Sequence, residues 1–351
     1  MDRERQTIHP KFKLNGVSIV EYFDALGNRI DSNKSNTIYS FILNWLDESS
    51  YMQLETSGTT GNPKVIKVNK KTMFLSAKNT GKYFGIKAGD SALLCLPITF
   101  VAGKMMIIRA IVLGLDLYVS KPSSSPINTF SRNFDFVAMT PLQLEKTINY
   151  IHKIKCLIIG GSPVNSVLKN KIKNTYSGVF ETYGMTETVS HVAVKNLSLG
   201  EDTFKSLPGI TFSQKFGCLE VNAPFISSTP IQTNDKVQLI SNNSFRWIGR
   251  NALTINSGGI KFNPEEIERL LSNHYSEDFV ISSLPDSLLG EKIVLVFEKK
   301  IPTNPRRFFS KLKKHQRPKE VDFLNKFERK NGKINREKIK INLLNKYVIK
   351  K

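Results

Sequence analysis

The sequence predicts an α/β protein: a large N-terminal α/β domain, rich in parallel strands and carrying a small β-barrel-like part, followed by a small C-terminal α+β domain. Three observations predict it. From Lys64 to about Ile240, helical and strand-like segments alternate, the pattern of parallel strands joined by crossover helices. After Gly217 the pattern changes to short strands separated by Asn, Pro and Ser, closing at Phe-Arg-Trp-Ile over 245–248. Past a boundary near Gly249 to Ala252, a new helix start and a new strand appear. A chain of 351 residues exceeds the usual single domain, which places a large domain over 1–250 and a small one over 251–351.

The elements follow in order. Residues 51–54 and 65–68 are strand-like and flank a polar loop. Residues 91–97 read as a buried strand, 103–113 as an apolar helix, 115–119 as a strand and 141–150 as a helix. Cys156-Leu-Ile-Ile-Gly-Gly161 is a buried strand running into a glycine turn, and the carboxyl edge of such strands is where open α/β sheets hold ligands. In the second domain, Asn263-Pro264-Glu-Glu-Ile-Glu-Arg-Leu-Leu271 combines a capping Asn, Pro at the first helical position and acids in the first turn. Residues 293–297 form a strand, and a basic tail follows.

Composition narrows the class. Forty per cent hydrophobic residues support a real core. The polar N-terminus does not suit a signal peptide, and the longest apolar run, from Met105 to Val119, is broken by Arg109 and Asp116. A soluble, cytoplasmic protein without a membrane span is expected. Cys95, Cys156 and Cys218 are odd in number and widely spaced, which suits free thiols better than disulfides or a metal site, and the five histidines show no ligand spacing. The net charge of +21 is uneven: residues 299–351 hold 19 Lys and Arg against 4 Asp and Glu, a net +15. That excess reads as attraction for a polyanionic small molecule, as lysine-rich drift or as a nucleic-acid tail; it lacks the aromatic platform of a single-strand binder and any DNA-reading motif, so no specific nucleic acid is expected.

The most informative segment is Thr56-Ser57-Gly58-Thr59-Thr60-Gly61-Asn62-Pro63-Lys64. Glycines let backbone N–H groups turn toward an anion, hydroxyls add donors, and Lys64 adds a point charge, so the loop suits phosphate. It is no Walker A motif, because Pro63 stands where the second glycine belongs and no Ser or Thr follows the lysine. A polar turn between two strands is the alternative. Three more signatures follow in order: Glu181-Thr182-Tyr183-Gly184-Met185-Thr186-Glu187; Ile248-Gly249-Arg250 with Asn256-Ser257-Gly258-Gly259 and Pro264-Glu265-Glu266-Ile267-Glu268; and Asn331-Gly332-Lys333-Ile334. Singly, each also reads as a turn, a surface acid, a hairpin or one more lysine. Together and in sequence they point to one chemistry.

With these motifs, the chain resembles the adenylate-forming superfamily of acyl-CoA and aryl-CoA synthetases, adenylation domains and luciferases, over residues 50–340. The stretch from Leu96 to Ala110 and that from Glu181 to His191 look most like the short o-succinylbenzoate–CoA ligases of menaquinone biosynthesis. The resemblance implies a carboxylic acid, ATP, Mg²⁺ and CoA as substrates and cofactors. A substrate carboxylate would attack the α-phosphate of ATP, and CoA would then displace AMP; a ligase for another aryl or acyl acid, or an adenylation domain loading a carrier protein, is the alternative. Oligomeric state is left open.

The resemblance also implies roles. The loop at 56–64 would close over the β- and γ-phosphates, Thr186 would bond a phosphate oxygen, and Glu187 would help hold Mg²⁺, a hard cation suited to carboxylate oxygen. Gly160, Gly161, Ser162 and Pro163, with Glu181, Thr182, Tyr183 and Gly184, would wall the adenine and acyl pockets. Asp235 would accept from the ribose hydroxyls with Arg250 behind it, and Lys333 would bridge the carboxylate and the α-phosphate in the first step only. The small domain would be mobile about a hinge after the Gly-Arg pair, carrying Gly258 and Gly259 to line the pantetheine channel. Two departures stand out: the hinge position is Ala252, where the family usually has an acid or lysine, and only 55 residues precede the loop. Ile98-Thr99-Phe100 replaces the usual His and aromatic residues after Leu-Pro, leaving Phe100 and Arg109 as acyl-pocket candidates, with Arg109 alternatively a helix charge facing solvent.

Overall fold

The computed structural model describes residues 8–21, 38–55, 65–173, 178–258, 260–330 and 332–349. They divide into two compact units, one built mainly from residues before 232 and one from 232–351 with short segments at 165–170 and 213–220. The protein is mixed α/β.

In unit 1 the short strands β1 (Lys13–Leu14) and β2 (Val17–Ser18) precede helix α1 (Ile38–Leu46). Strands β3 (Tyr51–Glu55) and β4 (Val65–Asn69) pair antiparallel, as the two strand-like runs around the polar loop lead one to expect. Helix α2 (Lys70–Phe84) starts on Asn69, whose side chain accepts from the Lys71 N–H, and ends at Gly85 in the left-handed region. Then come β5 (Ser91–Leu94), α3 (Val101–Leu113), β6 (Asp116–Val119), β7 (Phe134–Met139), α4 (Pro141–Thr147), β8 (Ile154–Ile159), β9 (Val179–Gly184), β10 (His191–Asn196) and β11 (Phe204–Ser206). The helix expected over 141–150 stops at Thr147 and tightens into a 3₁₀ turn through Lys153.

The sheet of unit 1 runs β11-β10-β9-β8-β7-β5-β6-β1-β2. From β9 to β1 neighbouring strands are parallel, and the strands at either end are antiparallel. The near-continuous apolar runs of β5, β7 and β8 fit strands covered on both faces. Helix α3 is apolar around most of its circumference, so it is buried: Met105, Met106, Ile107, Ile108, Ala110 and Ile111 have no solvent exposure.

Strands β12 (Thr211–Lys215), β13 (Cys218–Asn222), β14 (Ile231–Ser241) and β15 (Ser244–Arg250) follow one another across the sheet in chain order. In unit 2, β16 (Ile255–Ser257) and β17 (Ile260–Phe262) form a hairpin, α5 (Pro264–Leu271) follows, and β18 (Phe279–Asp286), β19 (Gly290–Glu298) and β20 (Glu320–Leu324) complete the sheet. The period of two is clean here. Ile281, Leu295 and Phe297 join Ile267 and Leu271 of α5 in one core, while Val280, Val294 and Val296 join Ile339 and Leu343 of α6 (Arg336–Ile349) in another. A two-stranded hairpin, β21 (Arg329–Lys330) with β22 (Lys333–Ile334), leads into α6.

Candidate active site

In unit 1 the predicted residues gather where β8 and β9 end. Gly160 and Gly161 follow β8, and Gly161 takes φ +91°, the left-handed turn that its residue type permits. Ser162 is half-buried and Pro163 exposed beside them. Thr182 donates to the Ile159 carbonyl at 3.0 Å, tying the end of β9 to β8. Glu181 and Tyr183 project to the opposite side of β9. The Glu181 carboxylate lies 3.1 Å from the Lys195 ammonium, both buried, and accepts from the Val164 N–H at 3.3 Å, so its first duty is a buried ion pair across β9 and β10. Gly184 is exposed at the end of β9.

The segment after β9 folds on itself. Thr188 is the organiser: its hydroxyl accepts from the Met185 N–H at 2.9 Å and lies 2.8 Å from the Ser190 carbonyl, to which it donates. The turn leaves Thr186 half-buried and the Glu187 carboxylate exposed. Among the described residues no cluster of three His, Cys, Asp or Glu could cage a metal. A single open carboxylate nevertheless matches Mg²⁺, which keeps several waters and is commonly held by one or two carboxylates plus substrate phosphates.

Arg109 departs from the solvent-facing alternative. It is 2% exposed, and among the described residues its guanidinium points to neutral groups: the Ser190 hydroxyl at 2.5 Å, the Thr80 hydroxyl at 3.4 Å, the Met106 sulfur at 3.7 Å and, also at 3.4 Å, the Nδ1 of His191. Burial alone lowers its pKa to about 10. His191, 8% exposed, is held well below its ordinary value of 6.5 by burial and then by Arg109, and so is neutral. The ring also meets the Phe84 face edge-on at 6.2 Å and the Thr80 hydroxyl at 3.4 Å. No carboxylate among the described residues pairs with Arg109, so the site is a buried cation framed by neutral dipoles. Sequence reasoning missed His191 and Thr80 because α2, α3 and β10 supply one group each. Phe100 is 39% exposed at the start of α3.

In unit 2, Asp235 and Arg250 stand opposite each other on β14 and β15. The Arg250 Nε lies 2.8 Å from the buried Asp235 carboxylate, which also accepts from the Trp247 indole N–H at 3.2 Å. Gly249 is required by close approach: a Cβ there would lie 2.2 Å from the Asn263 side-chain oxygen. Lys333, half-buried on β22, has its pKa lowered by burial and then by Arg250. An anion such as phosphate would relieve that repulsion and favour the charged lysine. Gly258 takes φ +61° in the turn after β16 and donates its N–H to the Leu289 carbonyl at 2.8 Å. The residues 56–64, including Thr56, Ser57, Gly58, Thr59, Thr60, Gly61 and Lys64, lie outside the described residues, as do Gly259 and Asn331.

Part of the basic C-terminal stretch is folded into ion pairs. Arg329 binds Glu298 at 2.6 Å and Asp278 at 2.7 Å, Lys340 binds Glu291 at 2.9 Å, and Lys346 binds Asp322 at 2.6 Å. This weakens the nucleic-acid reading, since paired charges are poor phosphate contacts. Cys95 and Cys218 are buried free thiols and Cys156 is a half-buried one. Among the described residues no helix is long and apolar enough to cross a membrane.

The model of the AMP-binding enzyme family matches residues 45–214. A 2-succinylbenzoate–CoA ligase of Oceanobacillus iheyensis is 23% identical over 321 residues, 80% of this chain and 67% of that protein. A solved acyl-CoA synthetase (AMP-forming)/AMP-acid ligase II-like protein of Dyadobacter fermentans is 32% identical, with a TM-score of 0.60 over 91% of this chain and 97% of that one. The o-succinylbenzoate coenzyme A synthetase of Bacillus subtilis, solved with ATP and magnesium ion, shares the fold at a TM-score of 0.71 and 21% identity, covering 82% of this chain and 69% of that one.

Proposed function

Because the chain belongs to the AMP-binding, adenylate-forming enzyme family, we propose that it is an ATP-dependent acid–CoA ligase acting on an aromatic dicarboxylic acid, 2-succinylbenzoate above all. The observation that carries the choice of acid is Arg109. A buried guanidinium surrounded by hydroxyls and a neutral imidazole has a large unmet demand for an anion. A substrate with two carboxylates can present one for activation and place the other against Arg109. The name carried by the Oceanobacillus relative supports the same acid.

In the first step the substrate carboxylate attacks the α-phosphate of ATP, forming the acyl-adenylate and releasing pyrophosphate. Lys333, with Arg250 beside it, stabilises the negative charge that builds on the α-phosphate and the attacking oxygen. Thr186 donates to a phosphate oxygen, and Asp235 receives the ribose hydroxyls, its orientation fixed by Arg250 and Trp247. Glu187 would help hold Mg²⁺, which neutralises phosphate charge when bound. The glycines, hydroxyls and Lys64 of residues 56–64 would suit the departing pyrophosphate. In the second step the CoA thiol displaces AMP, with Gly258 and Gly259 lining its approach; a hinge after Arg250 separates the domains 1–250 and 251–351 and carries Lys333 away between the steps.

A panel of mono- and dicarboxylic acids, each assayed for AMP release with and without CoA, tests the proposal. CoA-dependent AMP release with 2-succinylbenzoate and little with benzoate is expected. Release with none of the aromatic dicarboxylic acids, or equal release with benzoate, contradicts it.

A further inference from the structure

Arg250 and the hairpin that bears Lys333 meet through Glu265, whose carboxylate accepts from the Arg250 N–H at 2.6 Å and lies 3.9 Å from Arg336, three residues after Lys333. The structure supplies the restraint through Asn263, Glu265 and Arg336, of which only Glu265 lies within a motif. Arg250 is held by its main chain on both sides: its N–H donates to the Glu265 carboxylate at 2.6 Å, and its carbonyl accepts from the Asn263 side-chain amide at 3.0 Å. Asn263 performs two tasks at once, since its side-chain oxygen also caps α5 by accepting from the Glu265 N–H at 2.9 Å.

Lys333 is held from the other direction. Its hairpin, β21 with β22, is pinned before it by Arg329 on Glu298 at 2.6 Å and after it by Arg336 on Glu268, in a two-pronged contact with distances of 2.7 and 2.5 Å. The Arg336 Nε also lies 3.9 Å from the second oxygen of Glu265. Glu265 therefore touches Arg250 through one oxygen and Arg336 through the other, and Glu268 carries the restraint into the sheet by accepting from the Ile281 N–H at 2.6 Å. Burial raises the Glu265 pKa, and Arg336 and the Arg250 N–H oppose that rise without cancelling it.

We infer that Asn263, Glu265 and Arg336 are positioning residues, a clamp that holds Arg250 and Lys333 side by side for formation of the acyl-adenylate and is dispensable for transfer to the thiol. The inference rests on the adenylation role proposed for Lys333. None of the three residues touches the reacting atoms; each acts through the backbone of Arg250 or through the hairpin that bears Lys333. Loss of the clamp lets the two cations move apart, which removes stabilisation from the first step alone.

The test separates the two half-reactions in the full chain. Acid-dependent exchange of pyrophosphate into ATP reads the first, and conversion of supplied 2-succinylbenzoyl-adenylate with CoA reads the second. Glu265→Gln keeps shape and loses the charge; it is expected to slow exchange tenfold or more while changing thioester formation less than twofold. Arg336→Lys, which retains a cation but not the fork, is expected to fall between the wild type and Glu265→Gln in exchange. Equal losses in both half-reactions, or exchange unchanged in Glu265→Gln, overturn the clamp. A wild-type protein without acid-dependent exchange overturns the function proposed above and the clamp with it, whereas wild-type exchange with an unaltered ratio in the variants overturns the clamp alone.

Discussion

Two arginines withdrawn from solvent, Arg109 in unit 1 and Arg336 in unit 2, show how differently one side chain is used. Arg336 is half-buried and meets two carboxylates, with a two-pronged contact to Glu268 and Glu265 nearby; despite burial its pKa is raised. Arg109 is more deeply buried and among the described residues meets hydroxyls, a thioether and a neutral imidazole; its pKa is lowered. A cation whose charge is answered within the protein holds the fold together. One whose charge is left unanswered is stabilised by what it binds. On the function proposed above, Arg336 serves as architecture and Arg109 as receptor.

The largest expected effect lies in the receptor. Arg109→Met should lower kcat/KM for pyrophosphate exchange with 2-succinylbenzoate by about 2–5 kcal/mol in transition-state terms, the range for truncating one member of a buried charge pair. Most of that loss should appear in KM for the acid, with KM for ATP little changed. Steady-state kinetics in both substrates checks it.

Stability should separate the two residues in the opposite order. Arg336→Met strands the Glu265 and Glu268 carboxylates and should destabilise by about 1.5–3 kcal/mol, the worth of charge-assisted hydrogen bonds. Arg109→Met removes a buried charge that no carboxylate among the described residues pairs, and should leave stability unchanged or raised. Urea unfolding of both variants without substrate breaks the comparison if Arg109→Met proves the weaker protein.

A smaller effect sharpens the Arg109 side. His191 is neutral in the folded protein because its pKa is held far below 6.5. The unfolded chain binds a proton there that the folded one does not, so this group's share of stability is intact above pH 6.5 and is lost as pH falls below it. The slope is at most about 1.4 kcal/mol per pH unit. In His191→Gln the part of the acid-side decline between pH 6.5 and 5 should shrink, which unfolding curves across that range will read.

Much of the fold was legible in the sequence for local reasons. The apolar run ending in Gly160-Gly161 became β8 and a left-handed turn, and Asn263-Pro264 became a capped helix start, because the signals and their structural consequences lie within a few residues. Asp235 and Arg250, taken from motif likeness, stand opposite each other across two neighbouring strands joined by a short turn. The surroundings of Arg109 were not legible. An apolar helix announces its burial, but the groups that would meet its one charge come from α2 and from the start of β10, 29 and 82 residues away along the chain. The pairing of Arg336 with Glu268 spans 68 residues, and in a tail so rich in basic residues no local pattern singles it out. Glu181, a pocket wall by resemblance, has a carboxylate that also forms an ion pair with Lys195, a pairing fixed only once β9 and β10 are in register.

The most direct measurement of the central claim compares 2-succinylbenzoate with its methyl ester at the carboxylate that is not activated, in pyrophosphate exchange, for the wild type and Arg109→Met. The account predicts that the wild type discriminates strongly against the ester and that Arg109→Met loses most of that discrimination. Equal discrimination in both proteins would contradict Arg109 as the receptor of the second carboxylate.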